Sequence, residues 1–223
     1  MHVPDGFVSS PLCVAAGVAS AGVCGLALWR AQRKLEDRQV PLLGVTGAFI
    51  FAAQMLNFPV AGGTSGHFLG AAFASLLLGP LNACLILTVV LVIQCLGFAD
   101  GGITALGVNV FNMGVVGVFA SYLIFKSLQA VLPRTRSAFL GSAAVAAWTS
   151  VVLASLVCAV ELSLSGKVAW GVALSAMAGW HSLIGIGEAL ITCAVLSTVL
   201  ATRPDLIGSW DGGPALQPVA EGA

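Results

Sequence analysis

The sequence predicts an all-α fold: a polytopic membrane bundle of about seven transmembrane helices. Three observations carry this expectation. Hydrophobic residues make up 58% of the chain and charged residues only 8%, with a mean hydropathy of +1.01, a balance that excludes a water-soluble domain. The apolar residues fall in successive runs, most of them near the roughly 20 residues that a helix needs to cross a hydrocarbon core. Between the runs lie short segments holding Gly, Pro and most of the charges. No nucleic-acid partner is expected; the formal net charge of zero says nothing on that point, and the information lies in where the charges sit. Cys13, Cys24, Cys84, Cys95, Cys158 and Cys193 are scattered singly without a CxxC pair, which reads as small packing residues rather than disulfides or thiolate ligands.

The first run, Pro11 to Trp29, has no basic residue before it and Arg30, Arg33, Lys34 and Arg38 after it. This is the reverse of a cleaved signal peptide, so Met1 is expected to remain the terminus. Positive charge after the run places the N-terminus outside and the loop in the cytoplasm. Gly17, Ala21 and Gly25, spaced by four, permit a close helix contact. A second span from Pro41 to about Asn57 returns outward. After the Gly-rich loop to His67 comes a third segment, His67 to Gly79, too short for a comfortable span and expected to sink between its neighbours. Gly79-Pro80 turns the chain into a fourth span, Leu81 to Phe98, and Ala99-Asp100-Gly101-Gly102 forms the next outer loop.

Ile103 to Phe125 makes a fifth span. Lys126, Arg134 and Arg136 then mark a cytoplasmic loop, and Ser137 to Val160 makes the sixth. Residues 161–179 read as an outer segment whose apolar half, 168–179, is interfacial or re-entrant. His181 to Leu200 is the seventh span. Residues 1–204 thus form one membrane domain, and the polar, Gly/Pro-rich tail 205–223 is expected to be disordered and cytoplasmic. With this topology eight of the nine Lys and Arg fall inside, although only the first cluster fixed the orientation. The three histidines, His2, His67 and His181, all fall at the outer face.

Chemistry is concentrated in the opening stretch, Met1-His2-Val3-Pro4-Asp5-Gly6-Phe7. A histidine at the second position lets the Met1 α-amine, the His2 backbone nitrogen and His2 Nδ1 close two fused rings around one metal ion. Three nitrogens nearly in a plane, with a fourth to complete the set, suit Ni(II) or Cu(II), and Co(II) less well, but neither Ca²⁺ nor Mg²⁺. Pro4 stiffens the exit from the chelate, and Asp5-Gly6 reads as a turn.

Polar residues within the apolar runs point to where such a chelate would lodge. Gln54, Asn57, Gln94, Asn109, Asn112 and Glu188 lie in or at the ends of spans, where an unpaired polar group is costly. Most lie in the outer halves, and Glu188 sits two turns below His181 on one helix face. Together they outline an outward-opening polar pocket. His67 is positioned to supply a fourth nitrogen, with the amides and Asp100 orienting the imidazoles. Each amide taken singly reads more readily as interhelical glue. No phosphate loop of the GxxxxGK[ST] type is present, so active transport would need energy from partners. His181 and Glu188 lack the compact HExxH pattern of a metalloenzyme, and polar residues gathered at one end suit capture better than a channel's repeated sites.

The stretches MHVPDGF (1–7), FAAQMLNFPVAGGTSGHFLG (51–70), LLLGP (76–80), QCLGFADGGITALGVNVFNMG (94–114) and HSLIGIGEALIT (181–192) resemble the CbiM/NikM family. These are the substrate-binding membrane (S) components of energy-coupling-factor cobalt and nickel transporters, found in bacterial or archaeal cytoplasmic membranes. The resemblance touches nearly every span. It implies seven helices with the N-terminal segment inserted into the bundle from the outer face. It also implies a metal bound by the Met1 amine, the His2 amide nitrogen and imidazole, and the His67 imidazole. The family pattern usually has Ile where this chain has Val3. The transported substrate is then Co²⁺ or Ni²⁺, with Co²⁺ favoured because some nickel members continue into extra C-terminal helices and this chain ends in a polar tail. The implied partners are a transmembrane coupling (T) subunit, cytoplasmic ATPase subunits and a small two-helix accessory membrane subunit. The chain itself is expected to be no enzyme.

Overall fold

A computed structural model describes residues 1–60 and 64–211. Among these residues the chain forms seven helices and one β-hairpin. The helices are α1 (Ser10–Lys34), α2 (Val40–Gln54), α3 (Ala71–Leu78), α4 (Pro80–Phe98), α5 (Leu106–Val131), α6 (Arg136–Leu164) and α7 (Trp170–Thr202). The hairpin pairs β1 (Phe58–Val60) antiparallel to β2 (Thr64–Gly66), with Pro59 opposite Ser65. Five of the helices, α1 and α4 to α7, are long and apolar enough to cross a membrane. The short third segment is a helix of eight residues, about 12 Å at 1.5 Å per residue, buried on every side from Ala71 to Leu77. It is sunk among its neighbours, as its length requires.

Pro occupies the first turn of α1, α2 and α4, where its missing N–H leaves no bond unmade. Thr135 caps α6 by accepting the Ala138 N–H. Contact between α1 and α5 is close because Gly17 faces Gly107. A β-carbon on Gly107 would lie 2.6 Å from the Gly17 Cα, and Ser20 Oγ donates to the Gly107 carbonyl at 2.9 Å. The buried face of α1 is therefore Ala16, Ser20 and Ala27, while Ala21 and Gly25 of the expected stripe face outward. Within α5 the stretch Val110–Gly117 is π-helical, and it follows directly on Asn109.

Two sequence expectations need correction. Residues 161–179 are not a separate segment but belong to two long helices and the turn between them. Helix α6 runs on to Leu164, a turn at Gly166 (φ +67°) reverses the chain, and α7 begins at Trp170. These helices have 29 and 33 residues, longer than a minimal span, so their apolar ends continue as helix past the expected boundaries. Nor does order stop at 204. Ile207 is buried in the core and Trp210 packs edge-on against Phe139. Gly208 N and Ser209 N donate to the Leu77 and Leu76 carbonyls, capping the end of α3. Apolar Ile207 and Trp210 anchor this strap despite its polar surroundings. The rest of the tail, 212–223, and Gly62-Gly63 of the Gly-rich loop lie outside the described residues.

Candidate metal site

The N-terminal segment, called the plug below, is buried over its first three residues. Met1 and Val3 are fully buried and His2 nearly so. Backbone pairing fixes the depth. Val3 N donates to Asn109 Oδ1 (2.8 Å), while Asn109 Nδ2 (3.1 Å) and Gly102 N (2.9 Å) both donate to the Val3 carbonyl. Pro4 and the turn Asp5-Gly6, with Gly6 at φ +79°, then lead out to α1. Asp5 Oδ1 accepts from Thr104 N (2.7 Å) and Thr104 Oγ1 (2.5 Å), which holds its carboxyl below the usual range.

The terminal nitrogen meets the hairpin and the segment after it. The Met1 amine donates to the Ser65 carbonyl and contacts Ser65 Oγ (3.1 Å), and it lies 3.0 Å from His67 Nε2. The His2 amide donates to the same Ser65 Oγ at 3.2 Å. The imidazoles of His2 and His67 stack with centroids 4.6 Å apart and planes inclined by 23°. His2 Nε2 faces Gln94 Oε1 and His2 Nδ1 faces Asp100 Oδ1, each at 3.2 Å. Asn57 Nδ2 donates to Asp100 Oδ2 at 3.0 Å. His67 Nδ1 donates to the Phe68 carbonyl at 2.7 Å, because a carbonyl can only accept. That bond leaves the His67 Nε2 lone pair directed at the amine.

The site favours neutral nitrogen donors. Burial pushes the Met1 amine down to about 5, against the pull of Cys158 and Asp100. Burial, aided by the neighbouring amine, pushes His2 down to about 3 and His67 well below its ordinary value. Asp100 is raised, again by burial first, with the amine and Asn57 opposing.

Of the residues singled out in the sequence, Met1, His2, His67, Gln94, Asp100, Asn57 and Asn109 meet in one network. Gln54 and Glu188 act one step away. The Glu188 carboxylate accepts Leu69 N and Gly70 N, both at 2.7 Å, and Gln54 Nε2 donates to the Leu69 carbonyl at 2.8 Å. They fix the backbone just after His67 and do not touch the plug in these contacts. Asn112 pairs elsewhere, donating to Glu161 Oε2 at 2.6 Å. His181 is wholly buried, with Nδ1 on the Met177 carbonyl at 2.9 Å.

Ser65, Thr104 and Glu161 were not anticipated. A lone serine in a Gly-rich loop gives no signal, since its role depends on hairpin register. Among the described residues no group of three or more His, Cys, Asp or Glu side chains is arranged to hold a metal. The convergent nitrogens here are instead one amine, one backbone amide and two imidazoles.

Comparison with known proteins agrees with this architecture. The profile of a family described as "cobalt uptake substrate-specific transmembrane region" matches residues 2–206. A putative metal transport protein of Haloquadratum walsbyi is 43% identical over 209 residues, covering 93% of each chain. A putative fused nickel transport protein of Archaeoglobus fulgidus is 42% identical over 209 residues, covering 93% of this chain and 68% of that one. The crystal structure of a truncated transition metal transporter superposes with a TM-score of 0.84 at 33% identity, covering 90% of this chain and 98% of that one.

The fold and these relatives define a multi-pass membrane transport protein rather than an enzyme. Within that class, the chain belongs to the CbiM family of cobalt and nickel transport proteins.

Proposed function

We propose that this chain is the metal-capturing S component of an ATP-driven importer, and that it binds Co²⁺ in preference to Ni²⁺ from outside the cytoplasmic membrane. The four donors are the Met1 amine, the His2 backbone nitrogen, His2 Nδ1 and His67 Nε2. The observation that carries this reading is the 3.0 Å between the buried Met1 amine and His67 Nε2. Two nitrogens bound at right angles to one ion, each about 2 Å from it, would stand about 2.8 Å apart. Closing the chelate would draw His2 Nδ1 from Asp100, whose other oxygen stays with Asn57, and would release to solvent the amide proton that now meets Ser65 Oγ. Gln94 and Asn109 then keep the ring and the plug in register.

Nothing in the chain resembles a nucleotide-hydrolysing loop, so the energy would come from cytoplasmic ATPase subunits through a transmembrane coupling subunit, with a small accessory membrane subunit beside them. The N-terminus lies outside and the basic loops and C-terminus inside. The test compares protein carrying only a C-terminal tag with protein carrying an unprocessed N-terminal extension. Tight Co²⁺ binding is expected only in the first, measured by calorimetry in detergent. Equal affinity in both would remove the chelate from consideration.

A further inference from the structure

The end of the bundle away from the plug carries a cleft that the metal site does not use. Helix α1 has 25 residues, so at 1.5 Å per residue its last turn lies about 37 Å from Ser10. Arg30 and Lys34, one turn apart on the same face, line a hollow of about 370 Å³ there, with Gln39, Asn82 and Tyr122 as its other polar side chains. No carboxylate lines it, and neither cation has an ion-pair or hydrogen-bond partner among the described residues. Neighbouring Arg33 lies instead over the Trp29 ring, 4.4 Å from its centroid. Gln39 and Asn82 also line a second hollow, where Arg203 is matched by Asp205 at 2.7 Å and its charge is met within the chain. Leu43 joins this hollow to a trough between α2 and α4.

The trough is lined by apolar residues alone. Gly47 brings α2 against α4, since a β-carbon there would lie 3.2 Å from Ile86 Cγ2, whereas one on Gly44 would meet nothing within 4 Å. Val89 and Ile93 on the opposite wall are about half exposed, which opens the trough to the hydrocarbon. From Leu43 to Phe51 it rises about 12 Å along α2, close to the roughly 15 Å half-thickness of a bilayer core. Its volume of about 500 Å³ over that length gives a cross-section roughly half that of a helix about 10 Å wide, too narrow to seat one. A hydrocarbon chain is slimmer than a helix and needs no backbone partners there. We propose that the cleft binds one anionic phospholipid, with its phosphate between Arg30 and Lys34 and one acyl chain lying along Gly44 and Gly47. Basic pockets between membrane helices are a general means of holding such head groups. The proposal does not rest on the metal chelate.

The test uses the full chain with a C-terminal tag, purified in mild detergent and stripped of lipid. Native mass spectrometry counts the phospholipid rebound from mixed micelles of phosphatidylglycerol or of phosphatidylcholine, and thermal unfolding reports its effect. One phosphatidylglycerol is expected to bind and raise the midpoint, phosphatidylcholine far less, and glycerol 3-phosphate, a head group without chains, not at all. Arg30→Gln combined with Lys34→Gln should cut the preference for phosphatidylglycerol about 30-fold, the worth of two cations beside an anionic head group. Gly44→Leu places its side chain in the trough and should weaken phosphatidylglycerol binding with unchanged helix content. Equal binding of the two lipids by the wild-type chain overturns the proposal with no variant needed, and leaves the cleft to a protein partner. An equal midpoint shift with glycerol 3-phosphate would make it a site for free phosphate, which also overturns the proposal. So does a preference that survives the double substitution, or binding that Gly44→Leu leaves untouched.

Discussion

Gly102 leaves no room for a β-carbon, because one placed there would lie 2.3 Å from the backbone nitrogen of Asp5. The same glycine donates its N–H to the Val3 carbonyl at 2.9 Å, so the loop and the plug meet backbone to backbone. Gly102→Ala should therefore push the plug away from its seat without disturbing the helices. Expected are loss of tight metal binding and faster hydrogen exchange at Val3, with unchanged helix content. Wild-type affinity in Gly102→Ala would show that the depth of the plug does not set the site.

Glu188 governs the opposing wall. Its two oxygens take the N–H groups of Leu69 and Gly70, at the N-terminal end of α3, where a negative charge is also favoured by the helix dipole. Glu188→Gln keeps the shape but offers only one acceptor oxygen, and one buried N–H is left unpaired at a cost of about 1–3 kcal/mol. Leu69 lies two residues past His67, so the imidazole should lose its fixed orientation. Metal affinity is expected to drop on the order of 10–100-fold, with increased exchange at Leu69 and Gly70. If affinity and exchange both stay at wild-type levels, Glu188 does not position His67.

At the other end of α3, the strap after α7 is expected to be a stability element. Ile207 is 3% exposed and Ser209 Oγ donates to the Leu76 carbonyl at 2.7 Å. Ile207→Ala should lower stability by about 2–5 kcal/mol, the usual range for a buried large-to-small change. Thermal unfolding in detergent reads this. An unchanged midpoint would mean that the strap adds nothing to the bundle.

The spans were legible because apolar runs of membrane length and flanking basic residues are signals of composition, independent of partner helices. His2, His67, Gln94, Asp100 and Asn109 were legible as a group, because polar residues in apolar surroundings must be satisfied somewhere. What they bond to was not. Asn112 was grouped with the plug, yet it faces Glu161, since the direction of a side chain on α5 depends on where the π-helical stretch adds its extra residue. Glu188 read as a pocket residue, but both of its oxygens serve backbone N–H groups that no sequence pattern marks. Ile207 and Trp210 were hidden because two apolar residues in a Gly/Pro-rich tail fall below any periodic signal.

Inserting one alanine between Met1 and His2 separates a chelate from an ordinary histidine site most sharply. The insertion retains a free amine and an imidazole, so a site that needs only the His2 side chain could keep its ligand if the plug shifted. The proposed chelate cannot, because its fused rings need the amine and the imidazole on adjacent residues. The structure adds a second reason. Val3 is held on both its N–H and its carbonyl by Asn109 and Gly102, so the register is fixed from Val3 onward. The extra residue must crowd into the space where the Met1 amine now meets Ser65 and His67. Loss of tight Co²⁺ and Ni²⁺ binding is expected, with normal membrane insertion and an unfolding midpoint near wild type. The inserted protein should also lose the optical bands of a planar nitrogen-bound ion. Retention of wild-type affinity and of those bands would show that the metal is held by side chains alone.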